Sequence, residues 1–407
     1  MAMTPTDTEA PDPALSATAQ PMLSSSPEGT PAPQQEVRAQ VHVRFRAGVS
    51  RASGTPRSNG MQDEQNEDHD SALGEDEQDG SASTWSITSS VLNYRERHGR
   101  TWHSERTDTQ YFLPNDSKQL ECIDMTYVET CCSCPLLQTS PSLITSHDLS
   151  HRFLTILLDN KLLLAPLEPG AKRVLDVGTG TGIWAIAFAD AFPEAEVTGT
   201  DLSPTQPTWL PSNLSFEIDD CTRTWTWEAN TFDLVHMRLL FGAITDWPAL
   251  FREAYRTARP GGWCQSCEAE CLIRSDDGSI TPDTTMGSSW SRLFVEGGER
   301  LGRSFTVLSD ELQRQGMQEA GFVDLHEVNF KIPIGDWPLD PKLAEVGQWV
   351  RLTMEHDLEG YTLFIWKDVL GWDTDEYRRF LTSMKEEVRS RKLHGYMTVR
   401  YIYGRKP

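Results

Sequence analysis

The stretch VLDVGTGTGIW, residues 174 to 184, sets glycines 178, 180 and 182 at every second position directly after a short apolar run. Glycines placed there let the chain turn tightly and let a ligand approach the backbone, while the next helix offers its free N–H groups. Acidic residues follow at the ends of the later apolar runs: Asp176 inside the first, Asp201 in EVTGTD, and Asp219 with Asp220 closing LSFEIDD. Carboxylates at those places accept hydrogen bonds from sugar hydroxyls and amino groups, and they repel phosphate.

The glycine spacing separates two kinds of nucleotide-like ligand. A dinucleotide loop runs G-x-G-x-x-G and needs a glycine at 183, where this chain has Ile183. An NAD-dependent oxidoreductase therefore rests on fold analogy alone. S-adenosyl-L-methionine fits the acids better. Asp176 can organise the loop and the ammonium side of the amino-acid end, Asp201 can hold both ribose hydroxyls, and Asp219 or Asp220 can receive the adenine amino group. Spacing does not separate the last two, since either can instead cap the following segment. Gly178, Thr179, Gly180, Gly182 and Leu202 complete the expected cofactor contacts.

These residues need a parallel sheet to align them. VLDV reads as a buried strand and 183–192 as a helix ended by Pro193; residues 196–201, 214–220 and 232–237 read as further strands, 247–258 as a helix and 263–270 as a fifth strand. Strand and helix in alternation predict an α/β, Rossmann-like fold with right-handed crossovers. Beyond it, 310–320, 341–357 and 374–391 read as helices, 321–335 as paired edge strands, and the last residues as a strand.

The whole chain has 407 residues, 38% of them hydrophobic, with 60 acidic against 37 basic side chains and a formal charge of -23. That charge disfavours direct binding of nucleic acid. No apolar run is long enough to span a membrane, and the first residues lack the pattern of a signal peptide. Eight cysteines without such a signal suit reduced thiols, so cytoplasm or nucleus is the expected compartment. Residues 1–86 are rich in Pro, Ser, Thr, Ala, Gln and Gly and nearly devoid of aromatic residues, which predicts a disordered low-complexity tail. Arg38, Arg44, Arg46, Arg51 and Arg57 are too dispersed for an import cluster, and the acidic run from Asp63 to Asp79 reads as a solvated linker.

The chain also resembles a known family, the fungal class I methyltransferases similar to the secondary-metabolism regulator LaeA. The resemblance is carried by NYRERHGRTWH (93–103), YFLPND (111–116), LLDNKLLLAP (157–166), RVLDVGTGTGIWAIAFAD (173–190), VTGTDLSPTQPTWLPSNLSFEIDD (197–220), FDLVHMRLLFGAITDWPALFREAYRTARPGGW (232–263), RSDDGSI (274–280) and the terminal YIYGRKP. It implies a seven-stranded, mostly parallel sheet with S-adenosyl-L-methionine at the carboxyl ends of the first strands. It implies a helical amino-terminal cap over 87–170, with Tyr94, Arg100, Thr101 and His103 packed over the cofactor, and a methyltransferase domain over 171–407. The bland alternative for those four residues is a surface helix docked on the core.

One departure from the family is the insert 126–149, with Cys131, Cys132 and Cys134. No second Cys/His pair at zinc-finger spacing accompanies them, so no metal is expected. Our hypothesis for the insert is a retained intron or annotation error, which a transcript carrying these codons would refute.

Methyl transfer mainly requires alignment and exclusion of water, with a base only for a protonated acceptor. His236, after the fourth strand, is the candidate base; its alternative is a histidine packed against the cofactor or satisfied by the backbone. Glu268 and Glu270 are weaker candidates, and Arg238 could orient an acidic acceptor. Trp102, Trp184, Trp209, Trp225, Trp227, Trp247 and Trp290 are candidate rim positions for a planar acceptor, against core packing as the alternative. The expected partners are a small-molecule or protein methyl acceptor and regulatory proteins. A non-catalytic, cofactor-binding regulatory subunit is the competing reading of the same residues.

Overall fold

Residues 173 to 274 fold as their alternation requires. Strands β3 (Arg173–Val177), β4 (Glu196–Asp201), β5 (Leu214–Ile218), β6 (Phe232–Arg238) and β7 (Ala258–Arg274) pair in parallel, and helices α3 (Ile183–Ala191) and α4 (Trp247–Thr257) lie between them in the chain. The computed structural model describes residues 92–104, 109, 111–123, 149–208 and 210–407. The readings given above for residues 1–86, for 126–148 of the insert with its cysteines, and for Trp209 lie outside the described residues.

The strand order is β5-β4-β3-β6-β7-β9-β8. β8 (Val323–Pro333) is one edge strand, not the pair expected over 321–335, and it runs antiparallel to β9 (Tyr396–Arg405), which runs antiparallel to β7. Strand order reverses between β3 and β6, and such a switch point opens a crevice outside the carboxyl ends of the strands. Side chains alternate between the faces as a pleat dictates. Val174 and Leu234 join the core around α3, while Leu175, Val177, Val235 and Met237 join the core around α4 and α6 (Leu312–Ala320).

A third core roofs the far end of the sheet. It is built from α2 (Leu149–Leu157), α5 (Ser291–Leu301), α7 (Pro341–Leu363) and α8 (Thr374–Arg389). α7 is six residues longer than the pattern predicted and is broken inside at Asp357 (φ -139, ψ 55).

The amino-terminal segment corrects the expectation of a helix. β1 (Tyr94–Arg97) and β2 (Arg100–Ser104) form an antiparallel hairpin, followed by α1 (Ser117–Ile123). His98 (φ 52) and Gly99 (φ 75) supply its two-residue turn, and positive φ at both central positions is the turn type that matches strand twist. The His-Gly pair between two short runs was the available signal.

Candidate functional site

The glycine loop is tied to both strands beside it. Asp176 Oδ2 accepts from Thr179 Oγ1 at 2.6 Å, Thr179 N donates to Thr200 O at 2.8 Å, and Gly180 N donates to Asp201 Oδ2 at 2.8 Å. Asp201 Oδ1 accepts from Ser203 N at 3.1 Å. Burial raises the Asp201 pKa, backbone N–H groups of Gly180, Ser203 and Leu202 oppose that rise, and the Asp176 charge adds to it. Gly180 sits at φ +59, and a side chain there would meet no atom within 4 Å. Gly182 serves a different purpose: it starts α3, and an added Cβ would lie 2.3 Å from the Phe216 ring.

Above the loop lies a cavity of about 270 Å³. Its polar part is lined by Asp176, Gly178, Thr179, Gly180, Thr181, Asp201, Leu202, Ser203, Asp219 and Cys221. Thr181 also lines the cavity, and its Oγ1 is buried with no hydrogen-bond partner among the described residues. Tyr111, Phe112, Leu113, Pro114 and Asn115 cover the cavity from the amino-terminal side.

The structure gathers most of the expected site residues and sets others aside. Asp176, Gly178, Thr179, Gly180, Asp201, Leu202 and Asp219 line the cavity; Gly182, Asp220, Tyr94, Arg100 and His236 do not. Asp220 is a structural cap, since its Oδ1 accepts from Thr222 N at 3.0 Å and its Oδ2 from Thr109 Oγ1 at 2.6 Å. Tyr94 lies on β1, the strand of the hairpin that precedes the covering segment. Arg100 is consumed by an ion pair on each side, to Asp116 and to the fully buried Asp357 (Nη2 to Oδ2, 2.6 Å). It positions the covering segment instead of touching the cavity.

His236 is also corrected. The parallel register sets it beside Asp176, whose Oδ1 is 2.7 Å from His236 Nδ1, and its ring stacks on Trp184 with centroids 3.6 Å apart. At 1% exposure and away from the cavity lining, it cannot reach an acceptor. Burial lowers its pKa, against the rise from Asp176, so the ring is neutral at pH 7. Its carbon-bound ring proton resonances should therefore stay fixed in NMR spectra between pH 7 and 8.5; a titration step in that window would contradict the assignment.

Glu268 lies outside the lining and holds the turn after β6, accepting from Leu240 N at 3.1 Å and Phe241 N at 2.9 Å; burial pushes its pKa up to about 8 against those bonds. Glu270 and Arg238 line the cavity. Arg238 Nη1 is 3.3 Å from His151 Nδ1. Of the tryptophans, Trp184 and Trp290 line the cavity, while Trp102, Trp225, Trp227 and Trp247 are buried in the cores without lining it. Sequence reasoning missed Thr181, although its place in the loop was a usable signal, and it missed the apolar wall from Ile332 to Val399.

The lining fits the expected cofactor by the chemistry of its donors and acceptors. Two carboxylates, Asp201 and Asp219, line its polar part as acceptors, and a Cβ at Gly180 would meet no atom within 4 Å. Among the described residues, no cluster of three or more His, Cys, Asp or Glu could hold a metal, and no helix is long and apolar enough to cross a membrane.

Sheet order, loop and acid ladder define a Rossmann-like class I methyltransferase fold. A family profile described as a methyltransferase domain matches residues 149–327. The chain is 35% identical over 330 residues, 81% of its length and 93% of the relative's, to methyltransferase pytC of Aspergillus terreus. It is 30% identical over 314 residues, 77% of its length and 76% of the relative's, to the secondary metabolism regulator laeA of Aspergillus fumigatus. Phosphoethanolamine N-methyltransferase 2 of Haemonchus contortus, a solved structure, superimposes with a TM-score of 0.39 at 21% identity, covering 63% of this chain and 52% of that one. The protein belongs to the fungal LaeA-like methyltransferase family.

Proposed function

We propose that the protein is an S-adenosyl-L-methionine-dependent methyltransferase acting in fungal secondary metabolism, on a metabolite or on a protein that governs its synthesis. The observation that carries this reading is a cavity over the glycine loop whose polar part is lined by Gly178, Gly180, Asp201 and Asp219, with room for more than a Cβ at Gly180. The backbone of 178–180 and the Thr181 hydroxyl would hold the amino-acid end, Asp201 the ribose hydroxyls and Asp219 the adenine amino group, with Leu202 packing on the nucleoside. Asp176 acts indirectly by fixing Thr179.

When bound, S-adenosyl-L-methionine supplies a methyl group on a sulfonium, a leaving group that departs neutral. The chain's own task is then alignment and exclusion of water. The covering segment 111–115 and the cavity's apolar walls are built for that.

Calorimetry with S-adenosylhomocysteine tests the assignment. Asp201→Ala removes the acceptor for ribose and for two loop N–H groups, and affinity should fall by about 1–3 kcal/mol. An unchanged dissociation constant would remove Asp201 from the site.

A further inference from the structure

The glycine loop has little rigidity of its own. Gly178, Gly180 and Gly182 sit at φ 67, 59 and 83, and glycine leaves any such conformation at small cost. The loop therefore keeps its shape through the groups that tie it, one of which is Thr179 Oγ1 on Asp176 Oδ2. That tie holds while the carboxylate keeps its orientation, and its second oxygen, Oδ1, lies 2.7 Å from His236 Nδ1. A carboxylate only accepts, so the ring nitrogen donates. The ring itself is fixed from two sides. The parallel register sets His236 opposite Asp176, and Trp184 stacks on it with centroids 3.6 Å apart at an interplanar angle of 8°. Trp184 is anchored in turn, its Nε1 donating to Leu162 O at 2.9 Å.

We infer that His236 is a positioning residue for cofactor binding: its Nδ1–H orients Asp176 toward Thr179, and cofactor affinity depends on this relay although the ring touches no ligand. The inference rests on the methyltransferase reading above and adds to it a residue outside the main cavity that sets the loop from behind. Packing alone does not account for a histidine here. A leucine or phenylalanine would fill the space against Trp184 without burying polar ring atoms, but it would take away the donor that Asp176 Oδ1 has in His236. The ring also lines a second cavity, of about 10 Å³, with Thr155, Lys161, Arg238 and Tyr401. That is room for one water and none for a methyl acceptor, so the ring acts through Asp176 and not on a substrate.

The test uses the full chain and two substitutions that each keep an amide at one ring nitrogen: asparagine carries its N–H donor where Nδ1 stands, glutamine where Nε2 stands. In calorimetry with S-adenosylhomocysteine, His236→Gln should weaken binding about tenfold, the size of one lost hydrogen bond to a charged acceptor. His236→Asn should stay within about threefold of wild type. Both variants lose the ring that stacks on Trp184, so a role confined to packing would make them equal. Thr179→Val removes the other end of the relay; it should cost about tenfold alone and no more when combined with His236→Gln. In the free protein, amide hydrogen exchange over residues 177–184 should quicken in His236→Gln and match wild type in His236→Asn. Equal affinities of the asparagine and glutamine variants, additive losses in the double variant, or exchange that is unchanged in His236→Gln overturns the inference. If His236→Gln does not fold by circular dichroism, Thr179→Val takes its place, and full affinity or unchanged exchange in that variant also overturns it. The exchange experiment needs no ligand, so failure of the wild-type protein to bind S-adenosylhomocysteine sinks the methyltransferase reading while exchange still decides the relay.

Discussion

Gly180→Val should weaken S-adenosylhomocysteine binding by about 100-fold or more, equivalent to ~2.7 kcal/mol, while the far-ultraviolet circular dichroism of the sheet persists. Two effects combine. The first is steric: the space beyond a Cβ at this position is empty of protein for 4 Å, so a branched side chain would fill the room proposed for the amino-acid end. The second is conformational, because φ is +59 and a β-branched residue held there costs about 1–3 kcal/mol. Gly180→Ala separates them, since it keeps most of the backbone strain with little of the bulk. Calorimetry on both variants decides: full affinity in the valine variant would show that the cofactor lies elsewhere.

Asp357→Ala should be the most damaging single change outside the loop. Asp357 is fully buried at the break in α7, where it accepts from Arg100, from Lys118 Nζ at 3.1 Å and from Gly360 N at 3.1 Å. Removing one partner of a buried pair strands the other, at a cost of about 3–5 kcal/mol. Asp116 still holds Arg100, so the lower end of that range applies. A loss of about 3 kcal/mol would lower the melting temperature by roughly 5 °C in a folded region of about 300 residues, at about 2.1 cal/mol/K of unfolding entropy per residue. The change should also loosen the cover of the cavity: Arg100 binds Asp116, and Asn115 N donates to Thr101 O at 2.8 Å, so the clamp and residues 111–116 move as one. Scanning calorimetry with and without S-adenosylhomocysteine measures both effects. A melting temperature within 2 °C of wild type, the size of shift that ~1 kcal/mol would cause, would contradict the clamp.

The cofactor half of the site was legible because its signals are local. Glycines 178, 180 and 182 and the acids closing the next two strands depend on spacing within one βα unit and its neighbours, and the parallel register then puts them on one edge. Asp220 was open to a finer reading: an aspartate two residues before Thr222 is placed to receive its backbone N–H, which is what it does. His236 was misplaced because the end of a strand was read as the edge of the cavity. The pleat and the β3–β6 register instead set it against Asp176. The apolar end of the cavity was legible only in part. Trp290 was among the rim candidates, but Ile332, Met354 and Val399 come from distant stretches, and apolar residues at helix or strand period carry the same signal whether they fill a core or line a chamber.

Tyr94 and Arg100 show the same limit from another side. Of the four residues the resemblance places over the cofactor, His103 lines the cavity while Tyr94, Arg100 and Thr101 do not, and the resemblance carries no signal that separates lining residues from bracing ones. Arg100 belongs to the second kind because two carboxylates, one of them 257 positions away in the chain, occupy its guanidinium.

The segment matched by the methyltransferase family profile stops at residue 327, before Ile332, Val350, Met354, Met397 and Val399 enter the cavity wall. The apolar wall therefore draws on both sides of that boundary, Cys271, Trp290 and Phe294 coming from inside the matched segment and the other five from beyond it. Substitutions after residue 327 can reshape this wall while leaving the hydrogen bonds that brace the glycine loop untouched, because those bonds lie wholly within residues 176–203.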